Sequence, residues 1–286
     1  MNNNNKFYED IISFSNKFIY EKIETKNSKI TEVYFIKFKN QKYILKINKQ
    51  IQIQNFKLIN KIINKIFNND FPTPKLFYSK FNKTNKCSYF IFEYIEKSEK
   101  LNKNEQKIRL KIIKNLNKFY ELTNDIEFEK QLETPFLKYY EDIEKFLNNE
   151  YHKNIIKNSL EYIKSNNNSN KKIIFRDINP DNIIQNKNNF YFIDFDLVSF
   201  GDKELDIAVF FVSFFSNNDC LEIKLNNLKE LLNHLEQLNK EKIINYIILV
   251  FYNFFINIEE KEIKSFYLKN ILLFNENKQL ILNELN

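Results

Sequence analysis

The chain reads as an α+β protein in two lobes, a small β-rich one followed by a larger helical one, and three observations predict it. Through roughly the first third, β-branched and aromatic residues cluster in short runs set off by polar turns, the mark of strands. Beyond about residue 105 apolar residues recur at spacings of three and four, the mark of helices. Between those helices lies one segment, 173–208, whose residue types differ from the rest: it holds the only Gly (Gly201), the only Ala (Ala208), one of the two Arg (Arg176) and one of the four Pro (Pro180). The lobes are expected at 1–95 and 96–286.

Taken in order, Asn2 to Asn5 read as a frayed end. Runs at 32–38 and 42–47, separated by a polar turn, read as a hairpin. Ile53, Phe56, Ile59, Ile63 and Ile66 follow helical spacing over 53–67. Asp70, Pro72 and Pro74 end that helix, because proline lacks the amide proton and biases its predecessor toward extended geometry. Two further strands are predicted at 75–78 and 88–94. After the polar segment 96–104, the stripe Ile108, Ile112, Leu116 and Phe119 predicts a helix, followed by helices over 139–151 and 155–163 and a polar loop at 165–170. Two short strands are expected in the distinctive segment, and helices resume near Asp206. The apolar run 243–256 is broken by Asn245 and Asn253, too short and polar to cross a bilayer, and reads as a core helix.

A length of 286 residues with 43% apolar content is enough for one or two cores. The net charge of +7 is carried by Lys spread evenly among 37 acids, which argues against a nucleic-acid partner. No secretory signal is evident at the N-terminus, so the expected location is the cytoplasm. Cys87 and Cys220 lack any metal spacing and are read as reduced, buried thiols. His152 and His234 stand on polar helical stretches and are read as surface residues.

Most of the chain drifts toward Asn, Lys, Ile, Phe and Tyr, as AT-rich codons would cause. Residues that resist the drift are therefore the candidates for a physical requirement, which points to 173–208. There Asp177 and Asn182 share a loop, and Asp194 ends an apolar strand over 190–193. Three oxygen ligands at that spacing suit magnesium and phosphoryl transfer. In the strand 43–47, alternation puts Ile44 and Lys46 on one face and Tyr43, Leu45 and Ile47 on the other. Lys46 is thus placed to reach phosphates, with Ile44 under a base.

These residues resemble the aminoglycoside phosphotransferase and choline kinase family, a branch of the protein-kinase-like fold. Its loop of His, any residue, Asp, and Asn five further on appears as Phe175, Arg176, Asp177 and Asn182. Its following signature appears as Ile193, Asp194, Phe195, Asp196, Gly201, Asp202, Asp206, Ile207 and Ala208. The resemblance covers about residues 20 to 275 and implies a bilobal kinase-like fold, ATP and magnesium as cofactors, and Asp177 as the group acting on an acceptor hydroxyl. It implies Asn182 and Asp194 as metal ligands. It places adenine on the backbone of Glu93 and Ile95, Pro72 to Pro74 at the turn before the fourth strand, and the phosphates under a loop at 25–31 that includes Ser28.

The chain departs from the family pattern at three places. Phe175 replaces the usual His, no Glu occurs between Lys46 and Pro72, and the phosphate loop lacks glycine. Gln52, Gln54 or Asn55 is the expected neutral substitute for the missing Glu. Structural readings stand beside the functional ones: Asp177 and Asn182 also suit helix caps; Asp206 reads as scaffold, accepting backbone amides and bracing the loop; Phe175, filling the space of the usual His, and Arg176 read as structural support for that loop; Asp196 either aids metal or substrate or caps its loop. The acidic groups at 141–144 and 259–262 read as solvated faces.

Only eleven residues separate Asp194 from Asp206, too few for the extended segment with which a protein kinase presents a peptide. The expected acceptor is a small molecule bearing a hydroxyl. Three readings follow: an aminoglycoside phosphotransferase-like kinase, a choline or ethanolamine kinase of the same architecture, and a nucleotide-binding pseudokinase.

Overall fold

The computed structural model describes residues 3–24, 30–97, 101–127, 143–166, 171–215, 220–235 and 238–285. The chain forms two compact units: Met1–Leu101 with Asp125–Lys130 and Ile183–Asp196, and Asn102–Asn124 with Gln131–Asn182 and Leu197–Asn286.

The first unit is built on a five-stranded antiparallel sheet of β1 (Ile19–Ile23), β2 (Thr31–Phe38), β3 (Gln41–Asn48), β4 (Leu76–Asn82) and β5 (Cys87–Glu93), in the order β1-β2-β3-β5-β4. Period-two alternation gives β3 two faces. Tyr43, Leu45 and Ile47 are buried in one cluster with Ile11 of helix α1 (Asn3–Ile12). Phe7 of the same helix sets its ring edge-on to Tyr43 at 5.8 Å. Asn3 to Asn5 are therefore the first turn of a packed helix and not a frayed end, because the apolar residues at 7, 8, 11 and 12 give that helix a face to bury.

Helix α2 (Ile53–Phe67) spans the predicted residues and buries Leu58, Ile59, Ile62, Ile63 and Ile66. It lies on the other face of the sheet: Phe56 packs on Phe90 at 5.4 Å, and Phe90 is paired directly across from Lys46. The helix ends where Asp70 turns left-handed, φ 55°, and the Phe71 amide closes onto the carbonyl of Ile66 at 3.0 Å. A later hairpin, β7 (Ile183–Asn186) and β8 (Asn189–Phe192), joins this unit. The amide of Phe192 donates to the carbonyl of Pro72 at 2.8 Å, and its ring meets Phe71 at 5.2 Å.

The second unit is mainly helical: α3 (Gln106–Thr123), α4 (Ile143–Phe146), α5 (Glu150–Ser165), α6 (Lys203–Phe215), α7 (Leu221–Leu232), α8 (Lys240–Asn257), α9 (Lys261–Glu276) and α10 (Lys278–Leu285), with a two-stranded ribbon of β6 (Lys172–Ile174) and β9 (Ser199–Gly201). Helix α8 is its centre, packed by α5, α6 and α9. Every residue from Lys242 to Tyr252 is buried, as befits a helix apolar nearly all round. Lys242 is accommodated by an ion pair with Asp202 at 2.8 Å and a bond to the carbonyl of Asn166 at 3.1 Å. No described helix is long and apolar enough to cross a membrane.

Several expectations need correction. The single helix over 139–151 is interrupted after Phe146, since Asn149 caps α5 by accepting the amides of Tyr151 and His152; residues 139–142 lie outside the described residues. The distinctive segment contains four short strands, not two, because each pair closes as its own ribbon. Cys87 is only partly buried and Cys220 is exposed: the first is the opening residue of β5 beside a turn, and the second sits at the start of α7. His152 is half-buried, while His234 is exposed.

Candidate functional site

In the first unit the side of β3 away from α1 carries Lys46 and, two residues on, Asn48. Both are buried, at 9% and 7% exposure. An ammonium taken out of water needs compensating charge, and the segment after β8 supplies it. Lys46 Nζ lies 2.6 Å from Asp194 Oδ1 and 2.9 Å from Asp196 Oδ1. Burial works against its charge, but the carboxylates of Asp196 and Asp194 outweigh it, so the Lys46 pKa stands above the ordinary lysine value. The expected substitutes on α2 make no bond to Lys46. Gln52 sits exposed at the helix start, and Asn55 leaves its buried Oδ1 without a partner. Two carboxylates at ion-pair distance leave the ammonium no need of a neutral amide.

Asp194 is brought there by β8, which the Pro72 carbonyl fixes two residues earlier, and by a left-handed backbone at Asp194 itself, φ 64°. Left-handed backbone at a residue bearing a Cβ costs about 1–2 kcal/mol, and such strain gathers at functional sites. The strand does not continue past Phe192; residues 195–197 form a 3-10 turn. Asp196 therefore reaches the face of Asp194 by that turn and not by strand alternation, and Asn48 Nδ2 binds its other oxygen at 3.0 Å.

Of the expected adenine contacts, Glu93 is the last residue of β5, paired opposite Tyr43, with its amide on the carbonyl of Lys75 at 2.9 Å. Ile95 follows it, half-buried, and Ile44 is half-buried between Phe35 and Phe92 in the register. Ser28 lies outside the described residues, with most of the loop 25–31.

In the second unit the segment 175–182 is organised by Asp206, fully buried in the first turn of α6. Its carboxylate accepts the amides of Phe175 at 2.7 Å and Arg176 at 2.5 Å and the hydroxyl of Tyr120 at 3.0 Å. Burial pushes the Asp206 pKa up to about 6, against the pull of these donors and the Arg176 charge. The same burial, with the Asp206 charge, raises the Tyr120 phenol well above its usual value. Phe175 is 1% exposed and edge-on to Phe119 at 5.7 Å, so the ring fills interior space. Arg176 is left-handed, φ 68°, and its Nη1 donates to the carbonyl of Leu197 at 3.4 Å.

Asp177 is half-buried, and both carboxylate oxygens are held: Oδ1 by Asn179 Nδ2 at 2.6 Å, Oδ2 by Asn182 Nδ2 at 2.8 Å. The capping of the short 3-10 turn at Pro180–Asn182 is done by Asn179, whose Oδ1 accepts the amides of Asp181 and Asn182. That job was one reading of Asp177 and Asn182, and another residue performs it. In the second unit, because the Asn182 amide nitrogen points at Asp177, its carbonyl oxygen faces away from that bond. In the first unit, Asp194 offers a carboxylate with 42% of its side chain exposed. Oxygen donors of this kind fit magnesium, which takes few protein ligands and keeps its waters and substrate oxygens. Among the described residues no group of three or more His, Cys, Asp and Glu gathers as a site for a metal held by protein alone.

Sequence reasoning missed Asn48, Tyr120 and Asn179. Asn48 carried a signal, since it stands two residues beyond Lys46 on the same strand face. Asn179 stands two beyond Asp177, the spacing of an Asx turn. Tyr120 adjoins the apolar stripe of α3, and nothing in the sequence linked it to a residue 86 positions later.

The family model described as "Phosphotransferase enzyme family" matches residues 27–225. Among solved structures, the choline kinase LicA from Streptococcus pneumoniae is 21% identical, with a TM-score of 0.63 over 96% of this chain and 99% of that one. A microcompartment-associated aminopropanol kinase is 11% identical, with a TM-score of 0.66 over 96% and 98%. A thermostable mutant of an aminoglycoside phosphotransferase, in ternary complex with AMP-PNP and hygromycin B, is 10% identical, with a TM-score of 0.60 over 96% and 97%. No curated protein matches the sequence.

Proposed function

The chain belongs to the phosphotransferase enzyme family, and from that premise we propose that it transfers the γ-phosphoryl group of ATP to a hydroxyl of a small molecule. That it is a phosphotransferase follows from the family, and that its fold is kinase-like from the shared architecture. The nucleotide, the metal and the residue roles are the proposal. The observation that carries it is the buried Lys46, whose ammonium stands at 2.6 Å from the partly exposed carboxylate of Asp194.

In this reading Lys46 binds phosphate oxygens, and the strand end at Glu93 and Ile95 holds the base through its backbone. Asp177 orients the acceptor hydroxyl and takes its proton. The two amides that grip Asp177 do not exhaust it, since a carboxylate offers about four lone-pair directions; they fix its orientation, which is what a group acting on a substrate proton needs. Asn182 and Asp194 would hold magnesium, whose contribution is to neutralise charge on the phosphate oxygens. The AMP-PNP bound by the aminoglycoside phosphotransferase supports ATP as the donor.

Fold cannot choose the acceptor. A coupled ADP-release screen with magnesium ATP against aminoglycosides, choline, ethanolamine, homoserine and simple sugars tests the proposal. Turnover with one class assigns it, whether aminoglycoside-like or choline kinase-like. Nucleotide binding with no ADP release from any acceptor favours the pseudokinase. Asp194→Asn, which removes a charge without removing volume, is expected to lower kcat at least tenfold, about 1.4 kcal/mol, with the melting temperature nearly unchanged. A smaller loss counts against the metal role.

A further inference from the structure

We infer that Asp196, held by Asn48, is the standing counter-ion of Lys46 and replaces the helix Glu that this chain lacks. The inference rests on the reading of Lys46 as the phosphate-binding cation. α2 has no acidic residue, so a lysine buried to 9% exposure must be neutralised from elsewhere. Two carboxylates do so, and they differ. Asp194 Oδ1 is close, at 2.6 Å, but 42% of that side chain faces solvent, and it is the group placed to meet a cation. Asp196 is 18% exposed and divides its oxygens: Oδ1 to Lys46 at 2.9 Å, Oδ2 to Asn48 Nδ2 at 3.0 Å.

Asn48 is itself fixed at both ends, since its Oδ1 accepts the amide of Gln50 at 3.1 Å. The order of action follows from these bonds. Asn48 on β3 aims Asp196, and Asp196 aims Lys46 from the same strand face. Asp194 is then free to turn to other ligands without leaving the ammonium unpaired. With one carboxylate alone, a cation that drew Asp194 away would leave a buried ammonium without its partner, which is costly. Asp196 is thus a positioning residue acting through Lys46.

The test is a cycle of Asp196→Asn, Lys46→Ala and the double variant, with Asp196→Glu and Asn48→Leu beside it. Asp196→Asn is expected to raise KM for ATP about tenfold or more with a smaller change in kcat, Asp196→Glu to recover part of the loss, and Asn48→Leu to shift KM the same way by a few fold. Once Lys46 is alanine, the Asp196 substitution is expected to add less than about twofold. Independent, multiplying effects would overturn the inference, as would rescue of Asp196→Asn by excess magnesium, which marks a metal ligand.

One readout needs no turnover. The Lys46 ammonium protons, seen by nitrogen-resolved NMR of the free protein, are expected to be protected from solvent exchange in the wild type and in Asp194→Asn but not in Asp196→Asn. Protection that survives Asp196→Asn and vanishes in Asp194→Asn sinks the inference. If no ATP chemistry is found while the protection pattern holds, the functional reading fails and the pairing stands.

Discussion

Phe175 shows how a departure from a family pattern is settled at a single residue. The sequence reads it as a ring filling the place of the usual His; its 1% exposure and the edge-on contact with Phe119 make it an interior ring under the segment that Asp206 braces. Phe175→Ala is therefore expected to cost about 3–5 kcal/mol of stability, measured by denaturant unfolding, and Phe175→His to be tolerated with little change in rate. A harmless alanine would contradict the burial, and a large gain in rate with histidine would mean that the natural ring impairs the site. Asp206 was legible as a scaffold because a carboxylate at a helix start suits backbone amides. Its titration was not, since it depends on Tyr120 and on complete burial. With a folded pKa of about 6 against an ordinary 3.8, the folded state holds the proton more tightly. The stability from this group is full below pH 4 and is lost as pH rises through 6, roughly 3 kcal/mol at 1.36 per unit. A carbon-detected NMR titration of the Asp206 carboxyl is expected to give a midpoint near 6. A midpoint below 4 would mean that the three donors outweigh burial.

Elements were legible in proportion to how strongly a period marks them. Helix α2 spans the predicted 53–67 because its apolar stripe is clean and prolines follow it. Helix α1 escaped notice because a run of Asn opens it and only four of its ten residues are apolar, and β1 because its residues are mostly exposed. Turn chemistry was silent for a different reason. The hairpins turn at Lys39, Lys86 and Lys187, each left-handed, with φ of 54°, 50° and 53°, where most sequences would place Gly or Asn. The one Gly, at 201, is a buried strand residue paired with Lys172, with no positive φ, so backbone freedom is not what it supplies. A lysine in the left-handed region carries about 1–2 kcal/mol of strain, offset by roughly 0.5–1 for the extra entropy glycine loses. Lys39→Gly in the β2–β3 turn is accordingly expected to stabilise by about 0.5–1 kcal/mol, read as a rise in melting temperature. A fall would show that the lysine side chain, which lies 5.4 Å from the Phe38 ring centroid, stabilises the turn by more than the strain it carries.

For the whole molecule, the division into two units sets what a ligand can do to stability. The groups assigned to nucleotide phosphates, Lys46 and Asp194, belong with the sheet of the first unit, whereas Asp177 and Asn182 belong with the helical unit. The sequence implied Asp177, Asn182 and Asp194 through one motif-bearing segment and Lys46 through strand alternation, but not that the chain would send residues 183–196 back to the first unit, because that return depends on the Phe192 amide finding the Pro72 carbonyl. Anything that binds the folded state alone stabilises it by mass action, about 2.7 kcal/mol at a hundredfold excess over Kd. Magnesium ATP at such an excess is expected to raise the melting temperature, and a chelator to remove most of the gain, since four negative phosphate charges meet one lysine without the metal. Lys46→Ala should abolish the rise with or without metal. The acceptor hydroxyl alone, acting through Asp177, should leave the nucleotide-dependent gain intact. A gain indifferent to the chelator would remove magnesium from the account and leave Lys46 as the whole of the phosphate site. A gain that survived Lys46→Ala would place the nucleotide elsewhere and overturn the assignment of the β3 face.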